Sequence, residues 1–230
     1  MGAKKASSHS DGSDPTNSEP PRTQGQGQTA NPSPRAHAKR ELILDTAAEV
    51  LAKRGYAGTT LAEIAEDAGT LPGSLYYHFA SRDELITEVL LRGIGLIQQR
   101  VLDAVTSLGP SSTARERLEI GLRAQLAFVL EESAYALAGV KALGQLPEEI
   151  NSIVGPVNAN FEAVVLQLFA EAASDGAIDA SVNLPALRLL IAGATNWTAQ
   201  WHDAETGAAA AEIADLLLRL LFSGISTTHP

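Results

Sequence analysis

Ser74, Tyr76, Tyr77, His78 and Arg82 crowd into one short stretch, and each ends in a hydrogen-bonding group, on a short or aromatic stem except for the long arm of Arg82. That chemistry suits the reading of phosphate oxygens and base edges rather than the making of bonds. The residues that catalysis demands are absent or scattered. The chain has no Cys, which removes a thiolate nucleophile, a thiolate metal site and a disulfide framework together. His9, His37, His78, His202 and His229 show no metal-ligand spacing, and no phosphate-cradling glycine motif or positioned acid–base pair stands out. An enzyme is disfavoured, and neither cofactor nor metal is expected.

The elements that must hold those groups follow from apolar periodicity. A first helix is expected over about 36–54, with Ile43, Ala47, Val50 and Leu51 on one face and Gly55 as a left-handed stop. Thr60-Leu-Ala-Glu63 reads as a capping box, in which Glu63 would reach back to the Thr60 amide, opening a short helix that ends near Asp67. Ala68-Gly69-Thr70-Leu71 makes a tight turn, and Pro72 starts a third helix running to about His78. Ser81-Arg-Asp-Glu84 is a second box, opening a long helix to about Val105. Two short helices joined by a Gly-containing turn form a helix-turn-helix, whose second member enters the major groove by its N-terminal end. Ile64 and Leu75 are expected inside, Ala65 and Ala68 allow close approach, and Gly73 and Ser74 keep the front of the reading helix slim.

Further helices are expected over about 112–130, 134–143, 147–174, 184–202 and 208–224, so the fold class is all-α. Residues 1–35 are rich in Ser, Gly, Gln, Asn and Pro and read as a flexible tail; 36–82 form the helix-turn-helix domain and 83–226 a second helical domain. No run reaches the roughly 18 uninterrupted apolar residues of a membrane span, and the start lacks the apolar core of a signal peptide, so a cytoplasmic, nucleoid-associated location is expected. The net charge of −10 argues against coating nucleic acid nonspecifically. The charge is polarised: residues 1–40 hold six basic and three acidic groups, and residues 93–230 hold seven and fifteen. Between them, residues 41–92 carry four basic groups against nine carboxylates, so Arg35, Lys39 and Arg40 must supply much of the positive charge near DNA.

The stretch from Ile43 to Leu90, ILDTAAEVLAKRGYAGTTLAEIAEDAGTLPGSLYYHFASRDELITEVL, resembles the N-terminal domain of the TetR family in register over about fifty residues. The resemblance implies a homodimeric repressor on a palindromic double-stranded operator, released when a small molecule binds the C-terminal domain. It places Ser74, Tyr76, Tyr77, His78 and Arg82 at usual DNA-contact positions and Thr59 at a frequent phosphate contact. The full expected DNA-binding set is Arg40, Thr59, Thr60, Pro72, Gly73, Ser74, Tyr76, Tyr77, His78 and Arg82. For Tyr76, Tyr77 and His78 ordinary packing is the competing reading, and Leu71 stands where the family often has a capping Ser.

The last two helices, about 184–202 and 208–224, are the most apolar, with Leu187, Leu190, Ile191, Ala194, Ile213, Leu216, Leu217, Leu220 and Leu221. In the family such a pair forms a four-helix interface with its mate, which makes a homodimer the expectation and burial within one core the alternative. Polar or aromatic groups stranded among apolar neighbours give the expected effector set: Gln125, Phe128, Tyr135, Asn160, Phe161, Asn196, Trp197 and Trp201. The segments GSLYYHFASRDEL and NWTAQW resemble a TetR subgroup sensing acyl-CoA or steroid-breakdown thioesters, which implies a hydrophobic or CoA-linked effector. The competing functional readings are an activator with the same fold and an all-α interaction module whose helix-turn-helix is only scaffold.

Overall fold

The computed structural model describes residues 33–130, 133–202 and 208–224. Among the described residues every regular element is a helix: α1 Pro34–Gly58, α2 Leu61–Asp67, α3 Pro72–His78, α4 Arg82–Ser107, α5 Ala114–Leu130, α6 Ala134–Ala142, α7 Glu148–Ser174, α8 Leu184–Trp201 and α9 Ala210–Gly224. The flexible-tail expectation for residues 1–32 lies outside the described residues. Residues 34 and 35, read as tail, are instead the first turn of α1, because Ser33 caps it by accepting from the Ala36 amide and Pro34 occupies the first turn.

Gly55 does break α1, at φ 69° and ψ 179°, but one more helical turn follows to Gly58. The Thr60 box closes differently from expectation. The Thr60 hydroxyl accepts from the Glu63 amide at 3.2 Å, yet the Glu63 carboxylate accepts from that same hydroxyl and pairs with Arg54 at 2.7 Å instead of reaching the Thr60 amide. Ser81 accepts from the Glu84 amide at 3.0 Å, while Glu84 reaches past it to the Ala80 amide at 2.6 Å. Between α2 and α3 the chain reverses on Gly69, at φ 58°, where a side chain would be strained, and the Thr70 amide closes on the Ala65 carbonyl at 2.8 Å.

Burial then assembles the elements. One core joins Ile43, Leu44, Leu51, Ile64, Leu75, Phe79, Leu85 and Val89 with Ala138 and Ala142 of α6 and Ile150 and Val154 of α7. Packing therefore does not stop at residue 82; α6 and the start of α7 share the core of the helix-turn-helix unit. A second core gathers Val101, Leu118, Phe161, Val165, Phe169, Ile178, Leu218 and Phe222 around α4, α5, α7 and α9. α4 runs from the first core into the second and is the rigid link between them. α7 is long and apolar enough to cross a membrane, but its stripe Ile150, Val154, Phe161, Val165, Leu168 and Phe169 is packed inside the bundle.

Candidate nucleic-acid interface and ligand cavity

α3 turns Leu75 and Phe79 fully inward, against the first core, and leaves the other side of the helix in solvent. Tyr76 is 60% and Tyr77 82% exposed, and Pro72 and Gly73 are exposed at the front of the helix. A helix with two aromatic side chains standing free in water has no folding reason to carry them. His78 is half-buried and stacks edge-on against Tyr77, with centroids 5.1 Å apart, so the pair stiffens one edge of the exposed surface. Ser74 is half-buried, and its amide closes the first turn on the Leu71 carbonyl at 2.9 Å. Thr60 is exposed at the front of α2 with its hydroxyl already in the cap. The interface is thus narrow, neutral and aromatic at its centre.

Three residues of the expected DNA-binding set, Thr59, Arg82 and Arg40, have partners within the protein. Thr59 is buried, at 1% exposure, because its hydroxyl donates to the Gly55 carbonyl at 2.8 Å and so completes the broken end of α1. Arg82 donates from Nε to the Thr59 carbonyl at 2.7 Å and from a terminal nitrogen to the Tyr56 carbonyl, with its guanidinium 4.3 Å from the centroid of the Tyr56 ring. Both carbonyls belong to the turn after Gly55, so Arg82 clamps α1 to α4. The Tyr56 hydroxyl donates to Asp83 at 2.9 Å; burial and that bond raise its pKa, so it stays a donor. Arg40 forks onto Glu88 through both terminal nitrogens and lies 4.8 Å from the Phe79 ring centroid, which ties α1 to α4 behind the reading helix.

A cavity of about 280 Å³ lies among α4, α5, α6, α7 and α8, near the small end of the ~300–1,000 Å³ usual for ligand cavities. Gln125, Phe128, Tyr135, Phe161 and Asn196 of the expected effector set line it. Asn160, Trp197 and Trp201 lie outside it: Asn160 is exposed and the two Trp are 69% and 57% exposed. The helical period explains it. Arg188, Ala192 and Asn196 recur every fourth residue of α8 and point into the cavity, so Trp197, a step of about 100° further round, points away with Trp201.

Sequence reasoning missed the polar cluster at one end of the cavity. Arg188 pairs with Glu162 at 3.0 Å, and Asn158 donates to the other Glu162 oxygen at 2.9 Å. Asn151 and Asn196 line the same cavity, whose remaining wall is apolar: Leu90, Ile94, Ile97, Val129, Val140 and Val154. The i, i+4 recurrence of Asn158 with Glu162, and of Arg188 with Asn196 eight on, was a readable polar stripe on otherwise apolar helices. No group of His, Cys, Asp and Glu among the described residues could hold a metal ion.

Comparison with known proteins decides the family. The model of the bacterial regulatory proteins of the tetR family matches residues 43–89, and that of the tetracyclin repressor-like C-terminal domain matches residues 111–225. This chain belongs to the TetR family. It is a DNA-binding transcriptional regulator and not an enzyme. Its relatives include the HTH-type transcriptional repressor KstR2 of Mycolicibacterium smegmatis, 26% identical over 84% of this chain and 93% of the relative. Two solved structures share the fold: AibR in complex with isovaleryl coenzyme A and operator DNA, at TM-score 0.72, 23% identity and coverage of 80% and 98% of the two chains; and the regulator FadR of Bacillus subtilis in complex with stearoyl-CoA, at TM-score 0.66, 21% identity and coverage of 80% and 98%.

Proposed function

We propose that this TetR-family protein is a homodimeric repressor that reads a palindromic operator in the cytoplasm through α3 and is released when a hydrophobic or CoA-linked effector enters the α4–α8 cavity. The observation that carries the DNA half is the exposure of Tyr76 and Tyr77 on a helix anchored by Leu75 and Phe79. The dimer is supported by a second one. Leu190, Trp197 and Trp201 of α8 and Leu216 and Leu220 of α9 are each more than half exposed, at spacings that put them on one face per helix. So large an apolar stripe is unfavourable in water and self-complementary with a second copy. For the effector, the support is an apolar cavity with one polar end, together with relatives whose structures hold acyl-CoAs.

The test is an electrophoretic mobility shift against palindromic fragments from upstream of its own coding region, repeated with isovaleryl-CoA, stearoyl-CoA and steroid thioesters. Selective binding over random DNA at physiological salt, reversed by one of these, is the expected result. Binding no stronger than to random DNA would sink the repressor reading. For the dimer, Leu220→Glu should give a monomer by light scattering, with Trp197 and Trp201 emission shifted to the red as the two indoles lose their apolar cover.

A further inference from the structure

Where the ligand cavity touches the DNA-reading head, three helices meet in a small polar cluster. Tyr135 of α6 lines the cavity, and its hydroxyl donates to Asp45 of α1 at 2.7 Å. Arg92 of α4 lies 5.4 Å from the centroid of that ring and pairs with Glu41 of α1 at 2.6 Å, one turn before Asp45 on the same helix. Burial, and then the bond to Asp45, raises the Tyr135 pKa, so the hydroxyl remains a donor throughout the physiological range. The backbone behind the ring cannot retreat. A Cβ on Gly93 of α4 would stand only 3.0 Å from the Tyr135 carbonyl oxygen, and Ala138 and Ala142, further along α6, are sealed in the core of the head. The side chain of Tyr135 is therefore the yielding part of this wall.

We propose that Tyr135 is a positioning residue with two faces, its ring forming the cavity wall and its hydroxyl latching α1, so that an occupant pressing on the ring releases Asp45 and frees the head. The proposal rests on the reading of this cavity as the effector site. Release is cheap on the α1 side, because Asp45 is exposed and water replaces the lost donor. It also takes the ring from beside Arg92, so the Arg92–Glu41 pair becomes the remaining tie at this point between α4 and α1.

The chain has no Cys, so two introduced at the exposed alanines Ala62 on α2 and Ala163 on α7 take spin labels cleanly. The head-to-bundle distance distribution is then measured by pulsed electron resonance in the full chain, diluted with unlabelled protein. Tyr135→Phe, which keeps the ring and removes the latch, and Asp45→Asn should each shift or broaden the distribution, and the double variant should go no further. Gly139→Leu serves as a built-in occupant. Gly139 lines the cavity one turn after Tyr135, a Cβ there meets nothing within 4 Å, and helical side chains lean toward the preceding turn. It should reproduce the Tyr135→Phe distribution and add nothing to it.

Operator affinity should change about three- to tenfold with the same non-additive pattern, the range for one ordinary hydrogen bond, since water reaches the exposed Asp45 carboxylate. Distributions for Tyr135→Phe and Asp45→Asn that superimpose on the wild type's overturn the latch, whatever the DNA result. If those distributions move but no operator is bound, the latch stands and the repressor reading falls. If stearoyl-CoA releases operator equally from wild type and Tyr135→Phe, the latch falls and the repressor reading stands. Melting temperatures within a few degrees of wild type show that each variant is folded.

Discussion

The guanidinium of Arg82 serves two backbone carbonyls after the break at Gly55: that of Thr59, and that of Tyr56, which otherwise accepts only a long 3.4 Å bond from the Thr59 amide. Removing it takes the side-chain donor from both and the cation from over the Tyr56 ring, at a cost of about 2 kcal/mol. Arg82→Ala should therefore lower the melting temperature as well as operator affinity, and Arg82→Lys should not rescue it, because an ammonium cannot span two carbonyls in a fixed fork. A normal melt with lost DNA binding would return Arg82 to direct contact. Tyr77 predicts the opposite separation. At 82% exposure it contributes little to the fold, so Tyr77→Ala should leave the melt within about 0.5 kcal/mol of wild type. Its operator affinity should nevertheless fall at least about tenfold, the scale of one good groove contact. A fall in stability with affinity unchanged would make Tyr77 a packing residue.

At the scale of the element, what could be read in the chain was what lies within a few residues. Ser81 with Glu84, Pro72 and Gly69 each fix a helix end locally, and those ends stand where the sequence puts them. A third box of the same kind, Thr113 with Glu116, went unread although its pattern is as plain; the Glu116 amide donates to the Thr113 hydroxyl at 3.2 Å and the Thr113 amide to Glu116 at 2.8 Å. What could not be read is rotation about a helix axis. Asn196 and Trp197 are neighbours in sequence, yet only the packing of α8 on α7 and α5 decides that the first faces the cavity and the second the solvent. Arg82 turns inward for the same reason, since the crossing of α1 and α4 is a tertiary fact. The reading helix also keeps a local defect. Leu71 has extended N-cap dihedrals, φ −88° and ψ 144°, no capping side chain and 75% exposure. Leu71→Ser places an acceptor beside the Ser74 amide and should stabilise the protein by about 0.5–1 kcal/mol, read as a rise in melting temperature. No rise would mean that Pro72 alone already fixes the start of α3.

For the whole molecule, an acidic chain that binds a polyanion must concentrate its few positive charges, and among the described residues few are left over. In the head, Arg40 is held by Glu88, Arg54 by Glu63, Arg92 by Glu41, and Arg82 by backbone carbonyls. Lys53 lies 3.6 Å from Glu49. Arg35 is exposed in the first turn of α1, and Lys39 is held only by a long 3.4 Å bond to the Ala68 carbonyl in the helix-turn-helix turn. Both sit on the same helix end, and the proposed dimer would present each twice. Four phosphates neutralised would give a slope of log affinity against log salt of about −3.6 between about 50 and 200 mM, far shallower than the about −10 of a strongly electrostatic repressor. Arg35→Ala with Lys39→Ala should then flatten the slope nearly to zero while keeping the preference for operator over random DNA, because Tyr76, Tyr77 and Ser74 carry no charge. A slope steeper than about −6 in the full chain, surviving that double substitution, would place the missing cations in Lys4, Lys5 and Arg22, and removing residues 1–32 should then abolish the excess.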